Sequence, residues 1–201
     1  MNYLAHLYLS QHDQGLSLLG NLMGDFCKGV DLEQLPEAVQ LGIYNHRAVD
    51  RFTDNHVVVQ RLKILFSQRF RRFSGIITDV IFDHFLIKHW SMFSDTPLST
   101  FIDQSYNALW LHRQWMPTSM TDTVERIIEH NGLMTYGSLD GVRMTLQRLS
   151  QRIRFDNPLA ESQTEVLKNY TKLDDGFLQF FPELIAYIDH LAIEVENTQL
   201  N

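Results

Sequence analysis

Four short stretches of the sequence place two polar groups four residues apart in apolar surroundings: Asn2 with His6, Asn21 with Asp25, His46 with Asp50, and Asp79 with Asp83. On a helix, residues i and i+4 project the same way, offset by about 40°. An unpartnered buried polar group costs about 1–3 kcal/mol, and a buried carboxylate costs more. One such pair finds a backbone partner easily. Four pairs rich in histidine and aspartate point to convergence on one another or on a cation. The third stretch is the densest, because His46, Arg47, Asp50 and Asp54 fall within a wedge of about 100° on a continuous helix. The alternative there is a solvated face of intrahelical pairs such as Arg47–Asp50. In the fourth stretch, Asp79 and Asp83 lie among Val80, Ile81, Phe82, Phe85, Leu86 and Ile87, which describes a nearly buried helix.

His84 directly follows Asp83. Such a dyad can set a carboxylate and an imidazole on one divalent ion, the alternative being a core histidine held by one carboxylate. His6 is open to the same two readings. Gly20 and Gly24 flank the Asn21–Asp25 pair, where small residues permit close helix packing and would help Asp25 reach a shared metal. Mixed histidine and aspartate ligands suit Mn²⁺, Fe²⁺, Mg²⁺ or Zn²⁺, and a site of this kind activates water and neutralises a phosphoryl oxygen. Arg47, on the same wedge, offers the planar donor that phosphate oxygens prefer. The reaction class that fits is phosphate-ester hydrolysis.

The elements that must carry these residues are helices. Helical periodicity runs through nearly the whole chain, with no alternating strand pattern, internal repeat or linker. It predicts helices over 2–11, 14–26, 36–52, 54–72, 76–93, 98–113, 122–131, 138–154 and 160–196, the last broken near Pro182. Pro36 and Pro97 mark first turns, Thr121 or Asp122 is expected to cap the helix that follows, and Gly132 follows its end. We expect one all-α domain over 1–201. Trp90, Trp110, Trp115, Phe177, Phe180 and Phe181 are expected to be packing residues, and His12, His56, His89, His112, His130 and His190 surface or core histidines.

Composition narrows the function. The 201 residues are 44% hydrophobic and 11% aromatic, which excludes a disordered chain, and a net charge of −7 argues against general nucleic-acid binding. The charge is uneven. Two basic islands stand out, Arg61–Arg72 and Arg143–Arg154. The lone Cys27 excludes an internal disulfide and suits a reducing compartment. With no signal-peptide pattern and no run of 18 apolar residues, a cytoplasmic location is expected. Neither a GxSxG elbow, a phosphate loop, an HExxH nor a CxxC is present, so a serine elbow or nucleotide loop does not supply the chemistry.

The stretches MNYLAHL, GNLMGDFCKG, GIYNHRAVDRFTDNH and DVIFDHFLIKHW, in this order, resemble the bacterial acyl carrier protein phosphodiesterases. That family is regarded as a divergent relative of the HD-domain metal-dependent phosphohydrolases. The resemblance covers residues 1–93 strongly and continues loosely to about residue 190. It implies an HD-phosphohydrolase-like fold and hydrolysis of the 4′-phosphopantetheine group from holo-acyl carrier protein, with Mn²⁺ as metal and Mg²⁺ or Fe²⁺ as alternatives. The dyad here reads Asp83-His84, the reverse of the usual HD order. On this basis Asp25, His46, Asp83 and His84 are expected as metal ligands, with His6 and Asp50 next. Arg47 is expected to stabilise transition-state charge, His6 to protonate the leaving serine, and Asn21, Asp54 and Asp79 to orient the ligands. The acidic carrier is expected to dock on Arg69, Arg71 and Arg72, with Arg143–Arg154 as second choice. Rival readings are another HD-type phosphohydrolase acting on nucleotides, and a non-catalytic helical interaction module.

Overall fold

A computed structural model describes residues 1–11 and 15–194, and among these residues the regular structure is wholly helical. Ten α-helices follow one another: α1 (Tyr3–Tyr8), α2 (Gly15–Met23), α3 (Glu37–Asn55), α4 (Val57–Ile64), α5 (Ser74–Lys88), α6 (Trp90–Phe93), α7 (Leu98–Leu111), α8 (Thr118–Glu129), α9 (Leu139–Arg152) and α10 (Gln163–Leu191). Short 3₁₀ turns join several of them, including Gly24–Phe26 directly after α2. No helix is long and apolar enough to cross a membrane. His12 and the tail beyond residue 194 lie outside the described residues.

α5 is the central helix. Ten of its fifteen residues are buried, from Ser74 to Leu86, so it is apolar nearly all round. α10 packs along it through an aromatic seam in which Phe177 stacks on Phe181 at 4.9 Å and meets Phe82 and Phe85 edge-on or tilted. That seam also explains why α10 runs unbroken through Pro182, contrary to the break expected there. An interior proline costs about 3 kcal/mol. The burial of Phe177, Phe180, Phe181 and Leu184 on either side of it outweighs that cost.

α2 and α3 cross closely through two glycines. A Cβ on Gly20 would stand 2.2 Å from the Val39 carbonyl oxygen, and one on Gly42 2.4 Å from that of Ser17. Other boundaries differ from expectation for local reasons. The helix expected over 54–72 stops at Ile64, and the one expected at 122 begins at Thr118 behind Pro117, whose fixed φ starts the turn. After α8, the left-handed residue is Asn131, with φ 46°, and Gly132 donates back to the Ile127 carbonyl.

Candidate active site

Members of three of the polar pairs meet at one place. His6 from α1 and His46 and Asp50 from α3 put ligand-capable atoms within 4.8 Å of one another. The imidazoles of His6 and His46 stack at 3.8 Å. Nε2 of His6 lies 3.3 Å from Asp50 Oδ1, and Nε2 of His46 lies 3.2 Å from Asp50 Oδ2 and 3.7 Å from Asp25 Oδ1. Both histidines are buried, whereas Asp50 and Asp25 reach solvent.

The protonation pattern follows from the partners. His46 Nδ1 lies 2.7 Å from the Asn21 carbonyl oxygen, which only accepts, so Nδ1 carries the proton. Nε2 of His46 is therefore the nitrogen turned toward two carboxylates. Neither nitrogen of His6 has a hydrogen-bond partner. Burial, reinforced by the His46 ring, lowers the His6 pKa to about 3, so this ring is neutral at physiological pH. Burial works against ionisation of Asp50, yet the His46 and His6 rings and the Met1 amine hold its carboxyl well below the usual carboxylate range. The buried, unpartnered nitrogens of His6, beside His46 and Asp50, fit a divalent ion. A neutral His6 offers a ring lone pair that a cation could take.

The surrounding residues are set by hydrogen bonds. Asn21 is the hub: its side-chain oxygen accepts from Asn45 at 2.9 Å and its amide donates to Glu194 at 2.7 Å, while its carbonyl fixes His46. Glu194 is buried and also accepts from Ser17 Oγ and the Gln11 N–H. The α-amino group of Met1 pairs with Asp50 at 3.3 Å and Asp79 at 3.1 Å. Burial lowers its pKa, but the Asp79 and Asp50 carboxylates outweigh this and push it up to about 10. Gly24 lets the His46 ring lie against the backbone, because a Cβ there would sit 2.2 Å from the ring carbons.

Several expected residues are not brought into this group. Asp83 is fully buried, and its two oxygens accept the Leu4 and Ala5 N–H groups at 2.8 and 3.2 Å. It caps the start of α1 from another helix, a use that sequence spacing does not reveal. Burial raises its pKa to about 7, against the pull of those two amides. His84 donates from Nδ1 to the Tyr136 carbonyl at 2.8 Å, which leaves Nε2 to accept from the Tyr170 hydroxyl at 2.9 Å. Both nitrogens are used, so the dyad does not face the histidine–aspartate group. Asp54 ion-pairs with Lys63 at 2.8 Å at the exposed end of α3, and Arg47 is exposed, its guanidinium 5.9 Å from the Tyr44 ring. The arginines of the Arg69–Arg72 island are exposed and also make contacts within the protein. Arg69 pairs with Glu161, Arg71 donates to the Phe66 and Ile64 carbonyls, and Arg72 lies 4.9 Å over Phe155. Sequence reading missed Glu194 and Met1. The Glu194 contacts span 173 residues or more, beyond any local pattern.

The family model described as acyl carrier protein phosphodiesterase matches residues 1–184. The chain belongs to the acyl carrier protein phosphodiesterase family. Among its relatives, proteins named acyl carrier protein phosphodiesterase from Shigella boydii serotype 18 and serotype 4 are each 35% identical over 96% of this chain and 100% of their own length. The relative of the same name from Escherichia coli (strain HS) is 34% identical over the same shares. No solved structure matches the chain.

Proposed function

We propose that the chain is a cytoplasmic, metal-dependent phosphodiesterase acting on holo-acyl carrier protein. It hydrolyses the bond between 4′-phosphopantetheine and the carrier serine, releasing apo carrier and 4′-phosphopantetheine. The observation that carries this reading is the meeting of His6, His46 and Asp50, two imidazoles aimed at one carboxylate, in a chain of this family.

These three residues would hold the cation, with Asp25 and Asp79 at its rim. Two nitrogen donors favour Mn²⁺, Fe²⁺ or Zn²⁺ over Mg²⁺, which prefers an oxygen shell. A bound ion of this class lowers the pKa of water and neutralises phosphoryl charge. The protein's own residues prepare the place. The Asn21 carbonyl fixes the His46 tautomer so that Nε2 is the free donor. Gly24 holds the ring against the backbone. Asp25, at the open edge 3.7 Å from His46, is the carboxylate placed to accept a proton from water. Burial raises its pKa, which strengthens it as a base.

The test is conversion of holo to apo carrier, read by intact-protein mass spectrometry, with chelated enzyme and with Mn²⁺ restored. Wild type should convert the carrier only with metal, and His46→Ala and Asp50→Ala should lose conversion while remaining helical. Absence of conversion by wild type with Mn²⁺, Fe²⁺, Zn²⁺ or Mg²⁺ would refute the reading.

A further inference from the structure

A cavity of about 460 Å³ opens between α1, α8 and α9, a volume within the range of small-molecule sites. None of His6, His46 or Asp50 lines it. Its cationic wall is made by Arg126 of α8 and by Arg148 and Arg152, which lie four residues apart on one face of α9. Among the described residues, no carboxylate lines the cavity and none of the three guanidinium groups is in an ion pair. By contrast Arg143, on α9 but outside the lining, pairs with Asp140 at 3.5 Å, and Arg69 and Lys88 pair with Glu161 and Asp174. A concave wall of unpaired cations focuses a positive potential, and a bound anion relieves their mutual repulsion.

Two tyrosines in the lining add to this. The Tyr136 side chain is buried, and its hydroxyl accepts from the Asn2 amide at 2.8 Å. Among the described residues no acceptor takes the hydroxyl's own proton. Burial, with Asp83 and Tyr3 adding to it, holds the Tyr136 pKa well above its usual value, so this hydroxyl stays a donor. Tyr3 feels the arginines of both helices: burial and Asp25 raise its pKa, and Arg152 and Arg126 oppose the rise. The cations of α8 and α9 therefore bear on one space. Arg126 is also positioned from its own helix, because its Nε donates to the Asp122 carbonyl at 2.8 Å.

We infer that this cavity is a second binding site, separate from the histidine–aspartate group, for a compact polyanion carrying two or more phosphate or carboxylate groups. Guanidinium groups only donate, and they suit the oxygens of either group. A lone phosphate would fill a small part of the volume and leave cations unpaired, whereas a ligand with several anionic groups meets all three. The inference does not rest on the proposed activity, since the site needs neither metal nor carrier.

Inorganic pyrophosphate and citrate are the probes, each titrated calorimetrically into the metal-free full chain so that no metal centre competes for the anion. Wild type should bind one anion per chain saturably, and the tighter of the two marks phosphate or carboxylate as the preferred group. Arg148→Gln/Arg152→Gln should weaken that binding by about tenfold or more. Arg143→Gln/Arg154→Gln removes the same charge from the same stretch of chain outside the lining. It should stay within about twofold of wild type at about 0.15 M ionic strength, where distant exposed charges are screened. Both cavity arginines are exposed, so their variant should match the wild-type circular dichroism. Thr145→Glu, which sets a carboxylate into the lining and keeps both arginines, should weaken binding by about tenfold as well. Absence of saturable binding of either anion to wild type would overturn the inference. So would equal weakening by the two arginine double variants, which would reduce the effect to general surface charge.

Discussion

A methyl group at position 24 should dislodge His46. The Cβ of Gly24→Ala would stand 2.2 Å from His46 Cγ and Cδ2 and 2.6 Å from Nδ1, whereas carbon atoms rest about 3.5–4.0 Å apart. More than an ångström of separation must be found. α2 and α3 cannot supply it by parting, because Gly20 and Gly42 hold their backbones in contact. The ring must therefore turn, which breaks its 2.7 Å bond to the Asn21 carbonyl and moves Nε2 off Asp50. Overpacking costs about 1–3 kcal/mol and the lost hydrogen bond about 1 kcal/mol, so a total of about 2–4 kcal/mol is expected. For a chain of this size that lowers Tm by roughly 4–16 °C. Mn²⁺ affinity, titrated calorimetrically, should fall by about tenfold or more with one donor displaced. Gly75→Ala is the control: its Cβ would meet only the Lys63 side-chain end at 3.9 Å, within helix α5, so stability should hold or rise by about 0.5–1 kcal/mol. If Gly24→Ala binds Mn²⁺ like wild type and melts within about 2 °C of it, the placement of His46 described above is refuted.

His84→Ala removes two hydrogen bonds and should cost about 2 kcal/mol in urea unfolding, yet leave Mn²⁺ affinity within about threefold of wild type. A tenfold loss of affinity would return His84 to the metal site. Glu194→Ala strands the Gln11, Ser17 and Asn21 donors, so thermal melting should show a loss of about 3 kcal/mol or more, most of it regained in Glu194→Gln. Equal stability of the alanine and wild-type chains would contradict the buried network. His6 has a folded pKa of about 3, below its unfolded value of about 6.5, so the unfolded state binds the extra proton and stability falls as pH drops through that interval. Metal-free wild type should therefore lose about 2 kcal/mol between pH 7 and pH 5 through His6 alone, and His6→Asn should lack that share when urea unfolding is compared at the two pH values.

The helical class was legible because apolar periodicity is local, and so was the buried character of α5, whose polar residues sit inside an unbroken apolar run. The i, i+4 spacing also singled out His6, Asp25, His46 and Asp50, which the fold gathers. Spacing alone could not rank Asp83-His84 against them. A carboxylate amid phenylalanines reads the same whether it binds a cation or caps a distant helix, and only the position of Leu4 and Ala5 decides. Pro182 misled for a related reason, since an intrinsic helix penalty is visible in sequence and the aromatic seam that overrides it is not. The basic islands were visible as composition, but which arginines are spent on Glu161 or backbone carbonyls depends on contacts across many tens of residues.

The tether from Glu194 to Asn21 has a consequence for biosynthesis. Asn21 aligns His46, and Glu194 in turn anchors Asn21, so the donor geometry near the N-terminus is completed by a residue translated 173 positions later. Early helices emerging from a ribosome can pair through α2 and α3, yet they lack the carboxylate that locks the hub. The alignment of His46 is therefore completed late, once nearly the whole described chain has been synthesised, and a product terminated ahead of Glu194 would carry His6, His46 and Asp50 without the carboxylate that anchors Asn21.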